Sequence, residues 1–353
     1  MQRHARSIVT LLVILLAISV VTGCTGSTPP DNPPVTQNPT PDPPAPPPPS
    51  PGEPDETAGL RPNEAGRILI LEYHEVGDRE ADWERHYDNF RKDLERLYKA
   101  GYRTVPLQDV LNRRINLPRG TSPVVITFDD ADAGQFRYVI QDGQPVIDPN
   151  CAVGILEAFA REHPDFGKAA TFYTYVVAAP FRQKDYVADK LRFLAENGYE
   201  IGNHTYGHSN LSKLTPEGIQ AELAKQVKAV QAAVPGYQVA SLALPYGGYP
   251  SDRSFLLDGT FDGIAYHNAG VLLVGAEPAP SPFSTGFKSL AIPRVQARDS
   301  ELDKWLPYLE SHPLDRYVSD GNPDTVTVPD LRAERIDKAT LGAAQLVTYT
   351  IPK

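Results

Sequence analysis

From Pro62 onwards, short apolar runs alternate with stretches of helical period. The runs Arg67–Tyr73, Pro123–Phe128, Ala169–Val176, Tyr199–Asn203, Val239–Leu244, Gly263–His267 and Ser289–Pro293 have the length and content of strands. Between them, Phe90, Leu94, Leu97 and Tyr98 fall on one helical face, and Gly101 ends that helix. Leu191, Leu194 and Ala195 repeat the pattern ahead of Gly198. Thr215 and Pro216 supply a cap and a first-turn proline for a helix lined by Ile219, Leu223, Val227, Val230 and Val234. This alternation predicts an α/β architecture with a parallel sheet, either a barrel or doubly wound. No internal repeat stands out. From about Ser300 the pattern weakens. Two β-like pieces remain, Thr325–Val328 and Gln345–Ile351, which read as a C-terminal appendage or extra edge strands.

The first 61 residues follow different rules. Arg3 and Arg6 precede an apolar run, Ile8–Val21, which is shorter than the roughly 18 residues of a spanning helix. A basic head, a short apolar stretch and small residues describe a secretory signal. Thr25 to about Arg61 is dominated by proline and has almost nothing to bury, so it reads as an extended stalk. At about 3.1 Å per residue it would reach on the order of 100 Å.

The 353 residues are 41% hydrophobic and 22% charged, an ordinary globular balance with a net charge of −10. An acidic chain lacks a general phosphate-binding surface, which argues against nucleic acid as a partner. Of the two cysteines, Cys24 lies in the targeting segment and Cys151 in the body, where it reads as a small buried hydrophobe. One body thiol allows no intramolecular disulfide, so the fold must rest on its core.

Three stretches concentrate polar residues at the ends of expected strands, where α/β folds place their sites. In the first, an apolar strand delivers the adjacent acids Asp129 and Asp130. Two such carboxylates repel unless a cation or a division of labour relieves them, although an Asp pair also caps turns. In the second, His204 and His208 lie four apart after a strand and can reach one metal. Thr205 stands where a helical zinc protease has its Glu, and Gly207 disfavours a helix, so that reading fails. A base must come from elsewhere, and Asp129 is the obvious source. In the third, Leu244-Pro245-Tyr246-Gly247-Gly248 fixes a turn and lets a ligand approach the backbone.

Together the three stretches resemble the polysaccharide deacetylases of the NodB-homology group, carbohydrate esterase family 4. Thr127-Phe128-Asp129-Asp130, His204-Thr205-Tyr206-Gly207-His208 and Leu244-Pro245-Tyr246-Gly247 match its motifs in order. The resemblance spans roughly Ile68 to Val295. It implies a distorted (β/α) barrel as a single catalytic domain over 62–300, with an extension over 301–353 packing on it. Two departures stand out. Ala243 replaces a frequent Arg, and no late Leu-x-His motif follows Tyr246. Both are accounted for by a resemblance to the PgaB/IcaB-type exopolysaccharide N-deacetylases, whose early Tyr-His is matched by Tyr73-His74 and whose late Pro-Arg by Pro293-Arg294. Ala131 stands where Gly usually follows the Asp pair, so the local backbone is expected to differ. The stretch Ala131–Pro164 also looks long, as an insertion would.

The resemblance further implies one divalent ion, zinc first, with cobalt, nickel or iron as alternatives, on Asp130, His204 and His208. It makes Asp129 the base, oriented by Arg294, and His74 the acid. Tyr246 and Pro245 would bind substrate and oxyanion. Val21-Thr22-Gly23-Cys24 resembles a bacterial lipobox, which implies a signal peptide over 1–23, a lipidated Cys24 and a stalk to residue 61. The expectation is therefore a monomeric, extracytoplasmic, membrane-anchored enzyme that removes N-acetyl groups from N-acetylglucosamine units of a surface polysaccharide. The alternatives are an O-acetyl polysaccharide esterase and a non-catalytic glycan-binding lipoprotein.

Overall fold

A computed structural model describes residues 60–352. The expected signal peptide, Cys24 and the stalk through residue 59 lie outside them. Among the described residues, no helix is long and apolar enough to cross a membrane.

Eight strands form one parallel sheet: β1 (Leu69–Tyr73), β2 (Tyr102–Thr104), β3 (Ser122–Phe128), β4 (Ala170–Thr174), β5 (Glu200–Asn203), β6 (Ser241–Ala243), β7 (Gly270–Leu272) and β8 (Val295–Gln296). The order is β7-β6-β5-β4-β3-β1-β8, with β2 paired to the first half of β3. The two edges approach each other. Ile292, just ahead of β8, bridges Leu272 of β7, while Val295 pairs with Leu71 of β1. The strip from Ile292 to Gln296 thus lies between both edges and curls the sheet into a distorted (β/α) barrel.

Strand parity explains the two cores. Ile70, Val125, Tyr173, Ala243, Leu272 and Ile292 come from separate strands or the closing strip and pack together as the inner face. Leu69, Leu71, Val124, Ile126, Phe128 and Phe172 face outward and meet the helices. Those helices are α1 (Tyr87–Lys99), α2 (Ala152–Glu162), α3 (Val187–Glu196), α4 (Pro216–Ala233) and α5 (Asp299–Ser311). Phe90, Leu94 and Leu97 form the buried face of α1. Thr215 caps α4, its hydroxyl accepting from Gly218 N–H at 3.2 Å.

The structure corrects several expected elements. Gly263–His267 is not a barrel strand. Its core, Ile264–His267, pairs antiparallel with Asp258–Phe261 around Asp262-Gly263, both at positive φ, and the sheet takes the shorter β7 instead. The strand expected at Ser289–Pro293 forms later, at β8. The long stretch Ala131–Pro164 holds an exposed hairpin (Tyr138–Gln141 with Gln144–Ile147) and α2, an element the sequence reading did not place. Cys151 is buried and caps α2, its sulfur accepting from Gly154 N–H. Helix α5 falls where the pattern fades. Beyond it, Thr325–Pro329 and Gln345–Tyr349 pair in parallel, and Val326 and Val328 are buried with Ala65, Ile68 and Tyr317. Because Ala65 and Ile68 precede β1, this packing closes the N-terminal end of the barrel. The other end is left for chemistry.

Candidate active site

Four strands deliver polar side chains to the C-terminal mouth. Asp129 and Asp130 follow β3, His204 follows β5 and His208 lies four residues on. Tyr246 follows β6, and His74 follows β1. Asp130 Oδ1 lies 3.0 Å from His208 Nε2 and 3.3 Å from His204 Nε2. His204 is buried, and its Nδ1 lies 2.9 Å from the Ala243 carbonyl oxygen. A carbonyl only accepts, so Nδ1 carries the proton and the Nε2 lone pair faces Asp130. His208 Nδ1 pairs with the Tyr246 hydroxyl at 3.1 Å.

Asp130 Oδ1 is buried and makes no hydrogen bond of acceptable geometry despite these neighbours. An acceptor packed this close to the His204 lone pair lacks what would hold it there, and a cation supplies it. Two imidazoles and one carboxylate are the donor set of a transition-metal site with open positions, so these residues fit a divalent ion. Burial pushes the Asp130 carboxyl up, but the two imidazoles outweigh it and hold the pKa well below the usual range. Burial alone would lower His204, whereas the charges of Asp129 and Asp130 raise it.

The site loops run through left-handed backbone. Asp130, Ala131, Thr205, His208 and Tyr246 all have φ between 48° and 74°. Such conformations cost of order 1–3 kcal/mol each for residues with a side chain and persist only when neighbours fix them. Here the neighbours are visible. Ala131 keeps a glycine-like backbone, so the substitution noted in the sequence is absorbed as strain. Phe181 N–H bonds the Ala131 carbonyl at 2.6 Å, and Arg182 bonds the Asp130 carbonyl oxygen and the Asp132 carboxylate. Asn203 Oδ1 accepts from Thr205 N–H at 2.8 Å, and Thr205 Oγ1 accepts from Ser209 N–H at 2.8 Å.

Asp129 is held apart from the triad by a different device. Arg294, 0% exposed, donates to both of its oxygens at 2.7 Å. The same guanidinium donates to Thr127 Oγ1, Glu72 Oε1 and the Leu273 carbonyl oxygen. Its five N–H groups are then all used, so Arg294 orients Asp129 and has none left for a ligand. Burial pushes Asp129 up, but Arg294 and then His204 overcome it and hold the carboxyl below its ordinary value.

Glu72, His74 and Asp129 form a second cluster, with ligand atoms within 4.8 Å of one another. Arg294 already supplies the positive charge between its two carboxylates, so this cluster needs no ion. Burial pushes the Glu72 carboxyl up to about 7, against the pull of Arg294. Burial likewise lowers His74, partly offset by Asp129 and Asp130.

Residues 117–257 match the family model of polysaccharide deacetylases. The chain carries a polysaccharide deacetylase domain. Relatives include a chitooligosaccharide deacetylase of Bradyrhizobium, 26% identical over 38% of this chain and 50% of its own length. A chitin deacetylase of Arthroderma benhamiae is 29% identical over 41% of this chain and 32% of its own. The chain therefore spans half or less of the length of these curated relatives. Among solved structures, IcaB from Ammonifex degensii aligns over 70% of this chain and 98% of its own, with 17% identity and a TM-score of 0.47.

The structure gathers the candidate site residues named from the sequence at one end of the barrel. Asp130, His204 and His208 converge, Asp129 and Arg294 form the fork, His74 lies beside them, Tyr246 packs on His208, and Pro245 is buried in the turn that precedes Tyr246. Sequence reasoning missed Glu72, Gln135 and Trp83. Gln135 is buried and donates to the Asp129 and His74 carbonyl oxygens, tying two strand ends. Glu72 had a readable signal. It is an acid inside an apolar strand at the parity of Ile68 and Ile70, which faces the barrel interior.

Proposed function

We propose that this domain is a metal-dependent hydrolase that removes N-acetyl groups from N-acetylglucosamine units of a surface polysaccharide. The observation that carries the reading is the division of the adjacent acids. Asp130 faces the Nε2 atoms of two imidazoles, and Asp129 is held separately by a saturated guanidinium. Asp130, His204 and His208 would hold a divalent ion, zinc first, which when bound polarises the acetamide carbonyl and acidifies a nearby water.

The chain's own groups do the rest. Asp129, kept ionised and oriented by Arg294, accepts the proton of the attacking water. The fork that orients this carboxylate also weakens it as a base, which suits it to a water of lowered pKa. The turn at Pro245 presents the Tyr246 backbone N–H to the developing oxyanion. His74 gives a proton to the departing amine, a step an amide needs because an unprotonated amine leaves poorly. Its lowered pKa makes it a stronger acid and leaves a smaller protonated fraction at neutral pH. On this reading Cys24 carries the lipid, and the stalk holds the monomeric domain off a bacterial membrane, outside the cytoplasm.

The test is Asp129→Asn, assayed for acetate release from N-acetylglucosamine oligomers and for bound metal. Release should fall by about 10³-fold or more with the metal retained. Near-normal release would remove Asp129 from the role of base.

A further inference from the structure

Trp83 is one of two tryptophans in the chain, and its residue surface is 51% exposed. A large apolar ring left half in water on a loose loop would carry no meaning. This loop is not loose. Glu75 N–H bonds the Trp83 carbonyl oxygen, and Ala81 and Glu84 exchange backbone bonds across the turn. Arg85, two residues on, is 4% exposed. It donates twice to the buried Asp93, at 2.6 and 2.9 Å, and also to Glu80 and Asp299. Gln296, in the strip that closes the barrel, bonds the Asp82 carbonyl oxygen. A buried ionic fork and a backbone clasp therefore fix the backbone that carries the ring, and the ring itself packs edge-on against His74.

That position borders the site. The Trp83 ring centroid lies 4.6 Å from that of His74, with the planes 60° apart. His74 in turn stands beside Asp129. In the sheet order, β1 and β6 are on opposite sides of the curl, so Trp83 and the 68% exposed Tyr246 flank the mouth from two sides. Tyr246 has a partner in His208, whereas the outer part of Trp83 has only solvent. A hexosamine ring has an apolar face of C–H groups and an equatorial polar rim. An indole fixed beside the acid is shaped to take that face while the rim stays hydrated.

We propose that Trp83 is a stacking platform for a hexosamine ring of the substrate chain on the His74 side of the scissile acetamide. This rests on the deacetylase reading above and names the part of the substrate that the domain grips beyond the reacting group. The platform contributes binding, so its loss raises KM more than it lowers kcat.

The experiment uses the full zinc-loaded chain. Trp305→Phe leaves Trp83 as the only tryptophan, and Asp129→Asn added to it prevents turnover. Titration with β-1,4- or β-1,6-linked N-acetylglucosamine tetramers should shift and quench the indole emission saturably, while glucose at the same concentration should not. In the otherwise native enzyme, Trp83→Ala should raise KM for the tetramers about tenfold with kcat changed about twofold or less, and Trp83→Phe should restore most of the difference. Emission that ignores tetramers which the enzyme nonetheless deacetylates overturns the platform. So does a Trp83→Ala variant that loses kcat with KM unchanged, because the ring then acts only through His74. Quenching by tetramers that release no acetate would keep the platform and refute the deacetylase reading.

Discussion

At the scale of single residues, the site depends on how the N–H groups of one guanidinium are shared out. Arg294 uses all five N–H groups on Asp129, Glu72, Thr127 and a backbone carbonyl, so geometry and charge are both needed. Lysine keeps the charge and loses the fork. Arg294→Lys should lower kcat by about 10²-fold, hold its metal, and unfold at lower temperature, because a buried carboxylate left partly unpaired costs roughly 3–5 kcal/mol. Calorimetry and metal analysis of one preparation test both halves. Activity within about threefold of the native enzyme would show that the fork is dispensable. The acids and the His pair were legible in the sequence because each follows an apolar strand, where α/β folds place their sites, and because together and in order they match one family's motifs. Arg294 was legible only through family resemblance, since nothing local separates it from a solvated arginine. Trp83 gave no sequence signal, because a lone aromatic outside any periodic pattern does not show whether it lies in the core or at the surface.

At the scale of elements, the site depends on short segments that strand periodicity cannot reveal. The long apolar strands were readable because both faces of β1 and β3 are buried. Strands β2 and β7 have three residues each, too few for an alternation to show. The closing strip pairs only at Ile292 and β8, so the strand expected at Ser289–Pro293 is displaced toward its C-terminal end. This strip carries Arg294, and Gly275 lies against it. A Cβ on Gly275 would sit 2.5 Å from Gln296 N and 2.8 Å from Glu72 Oε2, the carboxylate that its N–H bonds. Gly275→Ala should therefore displace the strip, lowering both acetate release and the thermal midpoint. The control is Gly263→Ala, where a Cβ meets nothing within 4 Å and only the positive φ resists it. Equal effects at the two positions would mean that close approach at Gly275 is unimportant.

At the scale of the whole domain, chemistry and closure occupy opposite ends of the barrel. The closed end has its own titrating group. Glu64 is buried, accepts from Tyr317 Oη at 3.0 Å and Thr327 N–H at 2.8 Å, and is pushed up from 4.5 to about 8, chiefly by burial and then by Asp320. A carboxyl with a raised pKa binds its proton more tightly in the folded state. Its stabilisation is full below about pH 4.5 and is lost as pH climbs through about 8. Thermal stability should fall across that window, and Glu64→Gln, which cannot ionise, should flatten the fall and melt higher than the native chain at pH 8.5. An unchanged pH profile in the variant would remove Glu64 from this role. The open end rests on one claim, that Asp130 and the two imidazoles share a cation. Equilibrium dialysis against zinc of the native chain and of Asp130→Ala tests it most directly. The account predicts about one tightly held ion per native chain and none retained by the variant, whereas equal zinc binding by the two proteins would contradict it.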